Sequence, residues 1–114
     1  NLVILGDDNA AMARVVALLK EAGGGMALVD GEGEELFPLD VAGLMSSLPA
    51  DEVAARIEHI SKRAYRMGVK TCYDSFMTLA FLSLPVIPHL KLTDRGLFDV
   101  DKFTFTTTEI KADE

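Results

Sequence analysis

Three consecutive glycines, Gly23–Gly25, stand between a periodic apolar stretch and a short apolar run, and this juncture restricts the fold more than any other feature. Upstream, Met12, Val15, Val16, Leu19 and Ala22 recur at helical spacing, with Arg14, Lys20 and Glu21 on the other side. That is the pattern of an amphipathic helix lying on a core. Downstream, Met26, Ala27, Leu28 and Val29 read as a buried strand. Gly23 is placed to end the helix in a left-handed conformation, and the next two glycines permit a tight reversal. A phosphate cradle has the opposite polarity: it follows a strand and opens a helix, whereas these glycines close one.

The flanking residues extend this into a plan. Leu2, Val3, Ile4 and Leu5, ending at Gly6, form a run suited to a strand covered on both faces, and Asp7, Asp8 and Asn9 supply helix-capping oxygens. A strand, helix and strand of this length predict a parallel, right-handed unit. Asp30-Gly31-Glu32-Gly33 is turn chemistry, with Glu34 to Leu39 as the hairpin partner closed by Pro38. Asp40 to Leu48 is looser. Pro49 opens a helix whose stripe is Val53, Ile57, Ile60, Ala64 and Met67, stopped by Gly68. Glu52 with Arg56, and Glu58 with Lys62, are four-residue ion pairs on its outer face.

Further on, Val69 to Tyr73 suits a short strand, and Phe76 to Leu84 a short helix capped by Asp74 or Ser75. Pro85 and Pro88 predict an extended path through Val86 to Leu92. Asp94-Arg95-Gly96 is a turn, Phe103, Phe105 and Thr107 alternate as a final strand, and Lys111 to Glu114 is a frayed tail. The predicted class is α/β: a mixed sheet in the order β-α-β-β-α, then a short helix and a C-terminal strand. It forms one compact domain over residues 1–114.

Composition narrows the function. With 114 residues, 49% of them hydrophobic, and a mean hydropathy of +0.23, the chain carries enough apolar surface for a core, which excludes intrinsic disorder. Eleven basic residues against eighteen acidic ones give a net charge of −7 and a pI near 4.7. Phosphate backbones and anionic membranes are repelled, so neither nucleic acid nor membrane is an expected partner. The longest apolar run, Phe76 to Leu92, is broken by Thr78, Ser83, Pro85, Pro88, His89 and Lys91 and does not suit a bilayer. Cys72 is the only cysteine, which excludes an internal disulfide and points to a cytoplasmic setting. No signal-peptide pattern opens the chain, and a strand-like segment directly after Asn1 leads us to expect a piece of a larger protein.

Catalytic signatures are sparse. His59 and His89 are far apart, and no His-x-His, His-Glu-x-x-His or Cys-x-x-Cys spacing occurs. Cys72 reads as a small buried hydrophobe, and no serine sits in a Gly-x-Ser-x-Gly elbow. The Gly6 turn has the polarity of a phosphate site, but Asp7 and Asp8 would repel the ligand. The same acidic pair suggests a receiver domain, which also needs a Lys-Pro pair that is missing and an aspartate for which Asp40 is poorly placed. Asp94 and Asp99 would serve acid–base chemistry if they faced a pocket. The plainer reading is a turn in which Asp94 bonds local backbone. Phe76 to Leu92 is more apolar than a turn requires, which fits either core or a surface facing another domain.

The residues also carry a resemblance. The stretch from Phe76-Met77-Thr78 through Leu84-Pro85-Val86-Ile87-Pro88-His89 to Asp94-Arg95-Gly96-Leu97-Phe98-Asp99-Val100 resembles the closing segment of bacterial adenine deaminases. Gly23-Gly24-Gly25, and Pro38-Leu39 with Val41-Ala42-Gly43-Leu44-Met45-Ser46, agree in order and spacing. Asp40 and Ser75 depart from the pattern, each standing where a proline is expected. The resemblance implies the amidohydrolase superfamily, in which a (β/α)8 barrel holds a divalent metal centre, manganese or iron. There the metal activates water to attack C6 of adenine, giving hypoxanthine and ammonia in purine salvage. The metal ligands belong to the barrel upstream of Asn1, so the resemblance assigns no catalytic residue, metal ligand or cofactor to this chain.

It implies instead a C-terminal domain, inactive alone, whose partners are the upstream barrel of the same chain and further copies in a homo-oligomer. Phe76, Met77, Phe81, Val86 and Ile87 are the candidates for contact with the barrel. Met45, Ser46 and Asp94 are the loop candidates for reaching adenine. The alternative is a stand-alone acidic binding module or receiver-like signalling module.

Overall fold

Asp8 fixes where the first helix begins. In the computed structural model, which describes residues 2–109, its carboxylate accepts the Ala11 N–H at 2.6 Å and caps α1 (Asn9–Ala22). Gly23 ends α1 in the left-handed conformation, φ 77°, as its place in the sequence predicts. The chain divides into two compact units, Ile4–Phe76 and one built from Met77 onward together with the first residues.

In the Ile4–Phe76 unit, β1 (Gly25–Asp30) pairs antiparallel with β2 (Gly33–Pro38), in a register from Gly25 opposite Pro38 to Asp30 opposite Gly33. The Asp30 carboxylate closes the hairpin by accepting the N–H groups of Glu32 (2.8 Å) and Gly33 (3.1 Å). The glycines at 24 and 25 do more than permit a reversal. A Cβ on Gly25 would lie 2.3 Å from the Phe37 carbonyl oxygen, and one on Gly24 would lie 2.7 Å from the Gly43 Cα. Both are positions where only hydrogen leaves room for the neighbouring backbone.

Helix α2 (Ala50–Arg66) follows Pro49, with Asp51 and Glu52 in its first turn and Arg63 and Arg66 in its last, matching the helix dipole. Its stripe buries Ile60 and Ala64 against Leu28, with Met26, Val69 and Phe76 packed around them. Met67 lies past the helix end and is exposed. Glu58 pairs with Lys62 at 2.6 Å, as predicted, while the Arg56 guanidinium lies over the Phe37 ring at 5.7 Å.

The α/β class stands, with three helices and two small antiparallel sheets among the described residues. Three details of the predicted order are corrected. Residues 2–5 form no strand, so among the described residues there is neither the parallel unit nor the mixed sheet. The turn at Gly31-Glu32 gives β1 its partner locally, no described segment pairs with residues 2–5, and Leu5 is exposed. Residues 69–73 form a turn in which the Tyr73 N–H bonds the Lys70 carbonyl at 3.2 Å, and Cys72 on it is exposed rather than buried. After α3 (Ser75–Leu82), residues 83–89 continue in turns, with Leu84 bonding Phe81 and Ile87 bonding Leu84, rather than extending.

In the unit from Met77 onward, β3 (Leu90–Thr93), β4 (Gly96–Asp99) and β5 (Thr104–Phe105) form an antiparallel sheet in that order. The final strand is two residues long because Phe103, at φ 51°, breaks the alternation before it. Phe98 meets Phe103 and Phe105 edge to face, both at 5.3 Å between ring centroids. Lys91 lies opposite Phe98, which lies opposite Phe105, so one face carries these three; Leu90, Leu92 and Leu97 lie on the other. The predicted frayed tail, Lys111 to Glu114, lies outside the described residues.

Candidate functional site

Two places carry the loop residues singled out from the sequence. The first is the β3–β4 turn. Thr93 Oγ1 accepts the Arg95 N–H (3.2 Å) and donates to the Gly96 carbonyl (2.8 Å), so Thr93 makes the side-chain bonds of the turn that Asp94 was expected to make. Beside it lies an open concavity of about 290 Å³ lined by Pro85, Val86, Asp94, Arg95 and the three phenylalanines at 98, 103 and 105, with Thr93. The Arg95 guanidinium stacks over Phe105 at 5.6 Å. Asp99 does not join Asp94 there. Its carboxylate is held below the usual range, first by the Lys102 backbone N–H at 3.0 Å, and it also receives the Lys102 ammonium at 3.4 Å. The predicted carboxylate pair is therefore not assembled.

The second place is the loop between β2 and α2. Val41 and Met45 bridge across a turn whose central residues, Ala42 (φ 57°) and Gly43 (φ 71°), are both left-handed. A left-handed alanine is unusual, and the surroundings hold it there. Gly43 lies against Gly24, and the Asp40 carboxylate accepts the Ser47 N–H (2.9 Å) and the Ser47 hydroxyl. Asp40, which departs from the expected proline, thus ties the base of the loop, and the Ser47 hydroxyl holds its pKa down. Ser46 Oγ accepts the Leu48 N–H at 3.2 Å, while Leu44 and Met45 at the tip are exposed.

Of the contact candidates, Met77, Phe81 and Val86 are exposed, Ile87 is half-buried, and Phe76 packs on the Leu28–Ile60 core. Sequence reasoning overlooked Arg63, which is buried on α2 and bonds Asp30, Glu35 and the Gly33 carbonyl. Its position three residues after Ile60, on the buried stripe, was the available signal.

Both histidines are taken up by carboxylates, His59 by Glu35 at 2.6 Å and His89 by Asp101 at 2.5 Å. Among the described residues, no group of three or more His, Cys, Asp or Glu side chains is placed to hold a metal ion. No helix among the described residues is long and apolar enough to cross a membrane.

Fold and site together define a small α/β domain that presents apolar loops. The chain belongs to the adenine deaminase C-terminal domain family, which matches residues 1–104. It is 49% identical over 113 residues to an adenine deaminase of Nitratidesulfovibrio vulgaris (strain Hildenborough), covering 96% of this chain and 20% of that protein. It is 46% identical to adenine deaminase 1 of Oenococcus oeni (92% of this chain, 19% of that protein). It is 47% identical to an adenine deaminase of Methanothermobacter thermautotrophicus (90% and 19%). The chain thus spans about a fifth of the length of these curated relatives. No solved structure matches it.

Proposed function

We propose that the polypeptide carrying this chain converts adenine and water to hypoxanthine and ammonia, and that this chain serves it as a non-catalytic C-terminal domain. One observation carries the reading. Nearly half of the residues over nine-tenths or more of the chain are shared with proteins named adenine deaminase, of which the chain spans only about a fifth. The catalytic portion, with a divalent manganese or iron centre, then lies in the other four-fifths, and the enzyme works in the cytoplasm. The free Cys72 supports that compartment. The domain's work is structural, with exposed apolar residues such as Met77, Phe81 and Val86 packing on the catalytic portion or building an oligomer.

The test is the intact native gene product. A mass several times 12.3 kDa, bound metal and adenine-dependent ammonia release are expected. A product of about this mass that releases no ammonia would overturn the reading.

The β2–α2 loop favours a second role within the same enzyme. Its strained Ala42, its base tied by Asp40 and Ser47, and its exposed Leu44 and Met45 suit a rigid tip that shapes the adenine pocket. Substituting Met45 in the whole enzyme separates this role from the structural one: a changed KM at unchanged stability supports it.

A further inference from the structure

The sheet of β3, β4 and β5 carries apolar residues on both faces. On β3 the covered residue is a lysine: Lys91 is 9% exposed and its ammonium donates to the Pro88 carbonyl at 3.2 Å. Its neighbours on the opposite face, Leu90 and Leu92, are 52% and 59% exposed. Leu97, half-buried, lies directly across from Leu92 on that same face. The other face already carries Phe98 and Phe105, so leucines left exposed on this one add a second apolar surface, which suits a covering layer supplied by a separate body.

We infer that the face formed by Leu90, Leu92 and Leu97 is where this domain docks on the catalytic portion of its own polypeptide. This rests on reading the chain as part of a deaminase, in which four-fifths of the polypeptide lies outside these residues. The chemistry of the face calls for an apolar occupant. Asp99, opposite Leu90, already has its carboxylate engaged by Lys102, so the face offers no unpaired charge to a polar ligand. Its size argues against a separate partner. Three leucines on strands four residues long supply well under half of the roughly 800 Å² per side that a stable complex of separate chains buries. A partner tethered in the same chain needs far less, because its effective concentration is already in the millimolar range.

The experiment uses the full-length enzyme. Leu92→Cys and, as a control on the solvated side of α2, Lys62→Cys are treated with a maleimide, and modification at each position is read by peptide mass spectrometry. Leu92→Cys should react more slowly by roughly two orders of magnitude, as a site opened only by local unfolding does. In parallel, benzoylphenylalanine replaces Leu92, or Leu90 should the first variant fail to accumulate. Irradiation should then link it to a peptide outside residues 1–114 without raising the mass of the chain.

Equal maleimide rates overturn the inference by showing a bare face. A link to a second chain, or to a residue within 1–114, overturns the assigned occupant. Ammonia release is assayed on the same preparation. An enzyme that cross-links as expected but releases none would overturn the proposed activity and leave the docking face standing.

Discussion

Arg63, from the last turn of α2, reaches the carboxylate of Asp30 at the mouth of the β1–β2 hairpin, with Nε 3.2 Å from Oδ2 and Nη2 bonded to Oδ1. The same guanidinium bonds Glu35 Oε2 at 3.1 Å and the Gly33 carbonyl at 3.0 Å. One side chain thereby fixes a turn and a strand to a helix. Breaking such a cluster from one side leaves partners without a counter-charge, which costs more than the intact cluster gains. Arg63→Met should lower the thermal midpoint well beyond the effect of Glu58→Ala on the exposed face of α2. Arg63→Lys should restore little, because an ammonium cannot span the fork. A midpoint for Arg63→Met equal to that of the parent would refute this.

The same contact sets a pH dependence. The Arg63 hydrogen bond, ahead of the other contributions, holds the Asp30 carboxyl below its ordinary value of 3.8. A folded pKa below the unfolded one gives stability that is fully present above the unfolded value and lost as pH falls through the folded value. Glu34 beside Arg14 and Asp40 beside Ser47 shift in the same direction. Stability should hold steady above about pH 5 and fall progressively as these carboxylates protonate. Arg63→Met should make the decline shallower in urea titrations run at successive pH values; an unchanged slope would count against the assignment.

Ile60 is fully buried between Leu28 and Ala64. Ile60→Ala removes three carbons and leaves a void, which predicts a loss of about 3 kcal/mol. Val53, half-buried on the same helix, should cost distinctly less as Val53→Ala. Urea denaturation of the two variants checks the order, and equal losses would mean that the core is misplaced.

The glycines separate cleanly. Gly25 combines φ +141° with a Cβ position 2.3 Å from the Phe37 carbonyl oxygen, so Gly25→Ala must push the hairpin apart. Gly31 has nothing within 4 Å of its Cβ position, and Gly31→Ala should change stability by less than about 0.5 kcal/mol. Soluble yield and melting of the pair read this directly.

In the whole enzyme, Met45→Ala tests the exposed loop tip and Asp94→Asn the rim of the aromatic concavity. If the Met45 loop shapes the substrate pocket, Met45→Ala should raise KM several-fold with kcat and melting temperature unchanged. Asp94, which makes none of the turn's hydrogen bonds, should be nearly silent in all three. Parallel losses of kcat and melting temperature for Met45→Ala would return that loop to a structural role.

The features legible in the sequence were those whose cause is local. The Asp8 cap, the left-handed Gly23, the Asp30–Gly33 turn and the Ile60–Ala64 stripe each follow from residues a few positions apart. What escaped needs knowledge of distant neighbours. The run at residues 2–5 has strand composition, but composition cannot supply a ladder partner. Arg63 meets Asp30 and Glu35 across 33 and 28 positions, so its place on the buried stripe could not name its partners. The exposure of Leu90 and Leu92 escaped because alternation says which residues share a side and not which side is covered. The candidate site was legible only as loops: the exposed Met45 and Asp94 were marked correctly as loop residues, while the phenylalanines that line the concavity were not assembled.

The two-stranded hairpin bears on one way in which copies of this chain could meet. Among the described residues β1 and β2 pair only with each other, so each keeps one side where another strand could add. A copy laid along β2 would bring together chains of net charge −7 each and would find no N–H at Pro38. Fibre-like growth by strand addition is thereby disfavoured, and association is left to side-chain surfaces, where it can be specific and finite.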